Sequence, residues 1–384
     1  MKFFSFILIY GMMLASVLSA GEPGTKSMTF LNIAPNARVA GLGESFTALA
    51  DDVSAIYWNP AGLSILKNME VGLNYNMYFD DMSYLNLQFS RSFRFGSIGL
   101  NISSFNYGGI DNYVNGSLAG TIDSSDLMVM LGYSASLLND LYFGINFKYV
   151  LEKLTSEYSG TALAGDIGLL YVNPLGTLVK QSYIKPLNFG IMVQNIGVGP
   201  KFEKEANSLP LNIRFGFSYK LRFAYAVAKL KDINFLLDFI APSDSGFGIR
   251  YGTELWWYNL ASGLDAALRL GLKAPQDLGF TSGLTVGVGL RIISLEIDYS
   301  FVNFGDLGLT HRMGLDYKFG KIEKPKEFKT KGKEETEEFI EEEVNENPKV
   351  QKEKTKTEPL KKKEEKPVKK ETKPVEEDDL EFEE

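Results

Sequence analysis

The octapeptide Leu284-Thr285-Val286-Gly287-Val288-Gly289-Leu290-Arg291 decides the fold. Its leucines and valines occupy every second position, and Thr, two Gly and Arg lie between them. A period of two places the apolar side chains on one face of a β-strand and the remaining ones on the other face. The stretches 97–103, 143–149, 213–219 and 295–301 alternate in the same way. The chain is therefore predicted to be all-β.

Alternation of this kind recurs fourteen times between residues 68 and 319. The segments are 68–79, 83–93, 96–107, 126–137, 141–152, 161–173, 186–196, 210–221, 233–240, 246–257, 264–272, 281–292, 294–303 and 311–319. Most of them are longer than the roughly 5–6 residues of a soluble strand and match the roughly 9–11 residues of a tilted membrane strand. Their number is even, as is typical of bacterial barrels. The pattern predicts a 14-stranded antiparallel transmembrane β-barrel over residues 68–319.

The connections between these segments predict an orientation. Short turns at 94–95, 138–140 and 293 are expected on the periplasmic side, and long loops at 108–125 and 197–209 on the outside. Two further connections, 174–185 and 222–232, are long for periplasmic turns; either they hold short helices or the count of strands is off by a pair. Aromatic residues near segment ends are expected to form a girdle at the membrane interface. They are Tyr78, Phe79, Phe105, Tyr107, Trp256, Trp257 and Tyr258.

Charge is distributed very unevenly along the 384 residues. Residues 321–384 hold 39 charged residues out of 64, whereas the other 320 residues hold 49, or about 15%. A soluble β-sandwich, the alternative architecture, needs a charged exterior on both sheets, and this body has too few charges to supply one. The final segment, 320–384, is rich in Lys, Glu and Pro and is predicted to be a disordered periplasmic tail.

Composition also excludes several kinds of function. The chain has no Cys, which removes disulfide scaffolds, thiol nucleophiles and lipidation at an N-terminal Cys. It has one His, His311, and no motif supplies a nucleophile beside it, so we expect no enzyme, no cofactor and no metal site. The net charge of −8 without a basic stripe argues against nucleic acid.

The first twenty residues resemble a secretory signal peptide. Lys2 is followed by an apolar run and by the small residues Ser19 and Ala20. The match to the cleavage pattern is loose, and an uncleaved anchor remains the alternative. The expected location is the outer membrane of a diderm bacterium, with outer-membrane lipid and a periplasmic partner of the tail as candidate partners.

Two further groups of residues are candidates for function. Charges on alternate positions of the later strands are expected to face the lumen, either paired across it or arranged to bind a ligand carboxylate; they are Arg214, Arg250, Glu254, Arg269, Arg291, Glu296 and Asp298. The last strand has the spacing polar-x-Gly-x-x-apolar-x-aromatic, which resembles the signal read by the barrel assembly machinery. Its residues are Arg312, Gly314, Tyr317 and Phe319.

Residues 21–67 do not alternate and are rich in small side chains, as expected of a hatch that folds inside the lumen. The run Gly41-x-Gly43 lacks the third glycine of a dinucleotide fingerprint, because Phe46 occupies that position. The segment contains the strings 37–52, with Phe-Thr-Ala-Leu-Ala-Asp-Asp, and 55–63, with Tyr-Trp-Asn-Pro-Ala-Gly-Leu. These strings, together with 188–197 and 208–216, resemble the PorV/PorQ family of FadL-like outer-membrane barrels.

The resemblance covers residues 27–319 and implies a 14-stranded barrel with an N-terminal hatch. FadL-like barrels take up hydrophobic compounds such as long-chain fatty acids, and their gating element corresponds to Asn59, Pro60, Ala61 and Gly62. Arg38, Asp51 and Asp52 are expected to anchor the hatch, the two aspartates by pairing with a luminal arginine; a metal at the aspartates is the weaker alternative. PorV-type members instead serve type IX protein secretion or anchoring. The charged tail departs from the family pattern, and its composition favours a segment that binds a partner.

Overall fold

A computed structural model describes residues 24–155, 157–173, 187–202, 205–227, 229–275 and 280–320. The chain divides into two units, 1–325 and 326–384, and the second lies outside the described residues. The predicted signal peptide, the predicted connection 174–185 and the predicted tail beyond residue 320 also lie outside them.

Fourteen long strands form a closed antiparallel barrel, which confirms the predicted fold class. Each barrel strand pairs with the next along the chain, and β1 pairs with β16 to close the ring. The barrel strands are β1 (Met69–Met77), β2 (Ser83–Phe93), β3 (Gly96–Val114), β4 (Ser117–Leu138), β5 (Leu141–Lys153), β6 (Ser159–Val172), β7 (Leu187–Val198), β10 (Asn212–Val227), β11 (Leu230–Pro242), β12 (Gly248–Ala261), β13 (Leu264–Ala274), β14 (Leu284–Ile292), β15 (Leu295–Asn303) and β16 (Leu309–Phe319). Between β7 and β10, β8 (Lys201–Phe202) and β9 (Glu205–Ala206) form a separate two-stranded sheet.

The barrel is apolar outside and polar inside. Along β4 and β5, Leu131 and Phe147 face outward and are more than half exposed, whereas the alternate residues Met130 and Lys148 are buried. The same alternation runs through β1, where Leu73 and Tyr75 are exposed and Asn74 is buried. A polar inner face beneath an apolar outer face is the arrangement of a membrane-spanning barrel. It is the reverse of what the soluble β-sandwich requires.

Two predicted connections turn out to be strands. The region 108–125, expected to be an outer loop, continues β3 and β4 as a hairpin that turns at Asn115 and Gly116. The region 222–232 extends β10 and β11 toward each other and contains no described helix. The β3–β4 extension is held by pairing between these two strands, so its sequence need not alternate, whereas the start of β11 also pairs with β12 at Trp256 and Trp257.

Several residues of the predicted aromatic girdle face the lumen; Tyr107 and Tyr258, for example, donate to the buried carboxylates of Asp126 and Asp232. Phe105 and Trp256 are 2% and 3% exposed because their positions in β3 and β12 face the lumen. Phe105 packs against Tyr84 and Tyr107, with ring centroids 5.6 and 4.7 Å away. The strand ends therefore carry aromatic residues on the inner face as well as the outer one.

The remaining elements are short. They are the helices α1 (Ala37–Gly41) and α2 (Ala55–Trp58) and the 3₁₀ turns Thr29–Asn32, Pro60–Ile65, Phe280–Gly283 and Gly305–Leu307. No helix in the described part of the chain has the length and hydropathy needed to cross a membrane. Below, the inner end of the barrel is the end that holds the start of β1 and the end of β16, and the outer end is the opposite one.

Candidate functional site

Residues 28–66, the luminal segment, lie inside the barrel. Most of them are less than 6% exposed, including the aromatic residues Phe30, Phe46 and Trp58. Polar side chains of the barrel wall satisfy the backbone of this irregular stretch. Asn146 donates to the Ile56 carbonyl at 2.7 Å, and Gln194 donates to the Tyr57 carbonyl at 3.0 Å. A mostly helix-free chain can be buried here because the lumen supplies the hydrogen bonds that secondary structure would otherwise provide.

A ring of glycines lets the luminal segment approach the wall. Eleven of the fourteen barrel strands place a buried glycine on the inner face; these are Gly72, Gly99, Gly132, Gly144, Gly168, Gly190, Gly216, Gly252, Gly271, Gly287 and Gly314. We call this set the glycine girdle. A β-carbon on Gly271 would lie 2.0 Å from the Gly43 nitrogen, and one on Gly144 would lie 2.3 Å from the Ala61 nitrogen. At six of these glycines the luminal segment places its backbone directly on the strand, and at the other five it places a side chain there.

The Asn59-Pro60-Ala61-Gly62 element lies against the inner part of β5 and β6. The Asn59 side chain is fully buried and donates to the Thr47 carbonyl at 2.8 Å and to the Leu169 carbonyl at 3.0 Å. Its Oδ1 accepts from the Ala61 nitrogen at 3.2 Å, which caps the 3₁₀ turn that begins at Pro60. One side chain thus links two parts of the luminal segment to the barrel wall.

Charged residues predicted to face the lumen form a network with Arg38 of the luminal segment. Arg38 and Arg269 both bind Glu254, through Nε–Oε1 contacts of 2.9 Å each. Arg269 also contacts Asp298 and lies 3.2 Å from Glu296, which binds Arg291 at 2.7 Å. Glu254 is paired with Arg269 across strands β12 and β13. We call these six residues the arginine–carboxylate network.

Asp51 and Asp52 bind an arginine other than the expected one. Both contact Arg38 Nη1, at 2.8 Å for Asp51, so their partner belongs to the luminal segment itself and not to the barrel. Burial alone lowers the pKa of Arg38, but Asp51, Glu254 and Asp52 outweigh it and raise that pKa well above its ordinary value. The Arg38 guanidinium thus supplies, beside both carboxylates, the positive charge that a metal ion would supply in the weaker alternative.

The other two predicted luminal arginines, Arg214 and Arg250, lie nearer the outer end. Arg214 donates from Nε to Thr47 Oγ1 at 3.1 Å and packs over the Trp58 ring, 4.9 Å from its centroid. Arg250 is 4.0 Å from Glu44, and its Nε has no hydrogen-bond partner among the described residues. The seven predicted luminal residues therefore form two groups, the network around Glu254 and a more cationic group around Glu44.

Sequence reasoning missed several contacts of the luminal segment. Asp238 accepts hydrogen bonds from the Phe46 and Thr47 backbone nitrogens at 3.1 and 3.0 Å. Glu44 pairs with Lys273 at 3.1 Å. Burial raises the pKa of the Glu44 carboxyl, but Lys273, Arg250 and Arg312 outweigh it and lower that pKa from 4.5 to about 2. The strand alternation that identified Arg214 places Asp238 and Lys273 on the inner face as well.

An apolar patch interrupts the polar inner face. It consists of buried residues on β2 to β6, and we call it the apolar wall; its members are Tyr84, Phe105, Met128, Met130, Val150, Ala162 and Ala164. Met28, Phe30 and Leu31 of the luminal segment belong to the same hydrophobic cluster. Tyr84 and Phe105 lie beside the outer ends of their strands' pairing. The start of the luminal segment thus covers an apolar surface near the outer opening.

The four residues of the predicted assembly signal divide between the two faces of β16. Arg312 is buried and donates to the Ala34 carbonyl at 3.0 Å, and Gly314 belongs to the glycine girdle. Tyr317 and Phe319 face outward, are about 40% exposed and pack edge to face with centroids 4.6 Å apart. His311 also lies on the outward face, where its Nδ1 is 2.7 Å from the Tyr299 hydroxyl.

Comparison with known sequences finds one family. The model of UPF0164, described as an uncharacterised protein family, matches residues 18–220. A curated relative, the UPF0164 protein of Treponema pallidum (strain Nichols), is 26% identical over 220 residues. That match covers 53% of this chain and 51% of the relative, so the chain spans about half the length of the relative it matches.

Comparison with solved structures finds bacterial barrels. The toluene transporter TodX of Pseudomonas putida is 11% identical with a TM-score of 0.48, over 74% of this chain and 97% of that one. A Pseudomonas aeruginosa FadL homologue is 9% identical with a TM-score of 0.46, over 74% and 98%. The Acinetobacter baumannii outer membrane protein Omp33 is 10% identical with a TM-score of 0.37, over 66% and 98%.

Proposed function

The chain belongs to the uncharacterised protein family UPF0164, and we propose that it is an outer-membrane channel for uptake of hydrophobic compounds, gated by its luminal segment. The observation that carries the proposal is the apolar wall, an apolar surface inside a lumen that is otherwise polar, located near the outer opening. A water-filled pore for polar solutes has no use for such a surface, whereas an apolar ligand gains about 25 cal/mol for each Å² that it buries there.

In this proposal the ligand takes the place of Met28, Phe30 and Leu31 on the apolar wall. The Nε of Arg250, which has no hydrogen-bond partner among the described residues, and the ammonium of Lys273 lie in the cationic group around Glu44 and supply donors for a carboxylate. Long-chain fatty acids, which combine both features, are the ligand class that we favour. Release toward the inner end then requires movement of the Asn59-Pro60-Ala61-Gly62 element, because it packs on backbone at Gly144 and Gly168.

A disulfide lock tests the gate. A β-carbon on Gly314 would lie 3.4 Å from the Ala37 β-carbon, close to the roughly 3.5–4.5 Å of a disulfide. Because the chain has no other cysteine, Ala37→Cys with Gly314→Cys ties the luminal segment to β16 alone. In a strain lacking the native protein, the oxidised variant should stop uptake of radiolabelled oleate and a reductant should restore it, while Ala37→Cys alone remains active. Equal uptake before and after reduction would show that the segment need not move.

The apolar wall is tested separately by ligand binding. Met130→Gln places a polar group on the wall without changing its size greatly, and it should weaken oleate binding to the purified barrel at least tenfold. Leu131→Gln, on the lipid-facing side of the same strand, is the matched control and should leave binding unchanged. Equal binding by both variants would remove the apolar wall as the ligand site.

A second candidate function follows the PorV-type resemblance, in which the barrel serves protein secretion or anchoring. The observation that favours it is the β3–β4 hairpin, whose tip exposes Ile110, Tyr113, Val114 and Leu118 by half or more. On this hypothesis a secreted or periplasmic protein binds the hairpin or the charged tail, and the assembly machinery reads the last strand. Co-purification of a partner that is lost on deleting 110–120 or 326–384 would support it, and recovery of lipid alone would count against it.

A further inference from the structure

The β2–β3 turn at the inner end carries two arginines among aromatic residues. Its sequence is Arg91-Ser92-Phe93-Arg94-Phe95. Phe95 is 66% exposed and Phe93 is 39% exposed, both outside the barrel. Arg91 and Arg94 are also exposed. The Ser92 hydroxyl donates to the Leu66 carbonyl of the luminal segment at 2.5 Å, whereas the side chains of Arg91, Phe93, Arg94 and Phe95 are exposed and take no part in the proposed ligand path.

The turn is held in one conformation by contacts on both sides. The Phe93 and Phe95 rings stack with centroids 5.3 Å apart and planes inclined by 12°, and the Arg91 guanidinium lies 5.1 Å from the Phe93 centroid. The Tyr133 hydroxyl of β4 donates to the Phe95 carbonyl at 2.7 Å. The aromatic side chains and Arg91 are thus ordered before any ligand binds, which reduces the entropy cost of binding.

Neither Arg91 nor Arg94 has a carboxylate partner among the described residues. The luminal residues Arg38, Arg269 and Arg291 each bind at least one carboxylate. The turn lies at the rim of the apolar exterior, where aromatic rings sit at lipid headgroup depth and arginine side chains reach into the headgroup layer. A guanidinium there meets phosphate, which it binds through two parallel hydrogen bonds.

From this placement we infer that Arg91 and Arg94, framed by Phe93, Phe95 and Tyr133, bind the phosphate of an anionic glycerophospholipid in the inner leaflet of the membrane. Phe93 and Phe95 contact the glycerol and upper acyl region, and the arginines hold the headgroup. The inference depends on the barrel spanning a membrane and is independent of the transported compound.

Native mass spectrometry of the full chain in neutral detergent tests this site. With added phosphatidylglycerol the wild type should retain one lipid more tightly than the rest, and Arg91→Gln with Arg94→Gln should weaken that binding at least tenfold. Lys153→Gln, an exposed cation at the outer end of β5, is the matched control and should bind as the wild type does. Heat-modifiable gel mobility should be unchanged in both variants, because neither alters a buried contact.

Three outcomes would overturn the inference. They are equal retention of phosphatidylglycerol by the double variant, equal retention of phosphatidylcholine by the wild type, and displacement of the lipid by equimolar inorganic phosphate. The last would identify the site as one for free phosphate. Selective retention of the anionic lipid, lost in the double variant and unaffected by phosphate, supports it.

Discussion

Arg38 links two parts of the luminal segment to each other and to the barrel wall. It binds Asp51 and Asp52 within the luminal segment and, through two hydrogen bonds of 2.9 and 3.0 Å, Glu254 of the wall. Three carboxylates therefore bind this one guanidinium, and Glu254 binds Arg269 as well. Breaking a buried pair by removing one partner leaves an uncompensated charge, which costs about 3–5 kcal/mol.

Arg38→Gln is accordingly expected to destabilise the docked luminal segment by about 3–5 kcal/mol. The measurement is the temperature at which the folded band converts to the unfolded band in heat-modifiable electrophoresis, which should fall clearly. Arg94→Gln, an exposed arginine without a carboxylate partner among the described residues, serves as the control and should not change it. An unchanged conversion temperature for Arg38→Gln would show that Arg269 alone satisfies Glu254.

The lowered pKa of Glu44 predicts how the stability of the folded protein depends on pH. Its pKa in the folded protein is about 2, below the ordinary value of 4.5, because Lys273, Arg250 and Arg312 outweigh the effect of burial. A group with a lowered pKa stabilises the folded state fully above its ordinary pKa and loses that effect as pH falls through the folded value. The stability difference between wild type and Glu44→Gln should be constant above pH 5 and should shrink between about pH 4.5 and 2. A difference that persists unchanged at pH 2 would contradict the assignment.

For individual residues, the sequence predicted which side chains face the lumen but not which of them contact each other. Alternation alone places Glu254 and Arg269 in the lumen, because each lies between outward-facing residues. It carries no information on the contact between Arg38 and Glu254, which are 216 positions apart. That pairing depends on where the luminal segment lies in the lumen, and nothing in the period of two determines it.

At the scale of elements, the glycine girdle explains why the luminal segment fits. In a single sequence these glycines look like weak strand residues, since glycine packs no side chain and costs backbone entropy. Their role becomes visible only when strands distant in sequence form a ring. The glycines of the alternating segments are therefore positions of close backbone approach and not simply gaps in the pattern.

Gly271→Ala should weaken this packing measurably. The added β-carbon would meet the Gly43 nitrogen and the Leu42 carbonyl carbon, neither of which belongs to a flexible side chain. Overpacking of this kind costs about 1–3 kcal/mol. Gly109→Ala, whose β-carbon would lie 3.9 Å from its nearest neighbour, is the control. Limited proteolysis should cleave the luminal segment faster in Gly271→Ala than in Gly109→Ala, and equal rates would argue against tight packing at the girdle.

Whether a strand could be predicted from the sequence depends on whether it spans the membrane. All fourteen barrel strands were found because membrane-spanning pairs must be apolar outside and polar inside. The stretch 108–121 escaped prediction because it is exposed on both faces and contains four glycines, so no alternation marks it. Backbone pairing between β3 and β4, which runs from Gly109 with Asp123 to Val114 with Ser117, makes it a hairpin.

Within the described barrel, the buried charges line the lumen. A body with about 15% charged residues has an apolar exterior and a lumen where Glu254, Arg269 and Asp298 are each at most 1% exposed. Several of the luminal charges hold the luminal segment: Glu254 binds the Arg38 side chain, Asp238 accepts from the Phe46 and Thr47 backbone nitrogens, and Arg312 donates to the Ala34 carbonyl. Removal of the segment would thus leave a wide lumen lined by polar and charged groups, which water fills readily.

Deletion of residues 28–66 is therefore expected to convert a closed barrel into a steadily open pore. The wild type should show little conductance in planar bilayers, because the luminal segment packs against all eleven glycines of the girdle. The deletion should conduct continuously, since the barrel strands close on one another through β1 and β16 without help from the segment. Deletion of 326–384 is the matched control and should stay closed, and retained heat-modifiable mobility verifies that each variant is folded. A folded but silent deletion would mean that the outer loops close the barrel, and the gate would then have to be sought among the connections at the outer end.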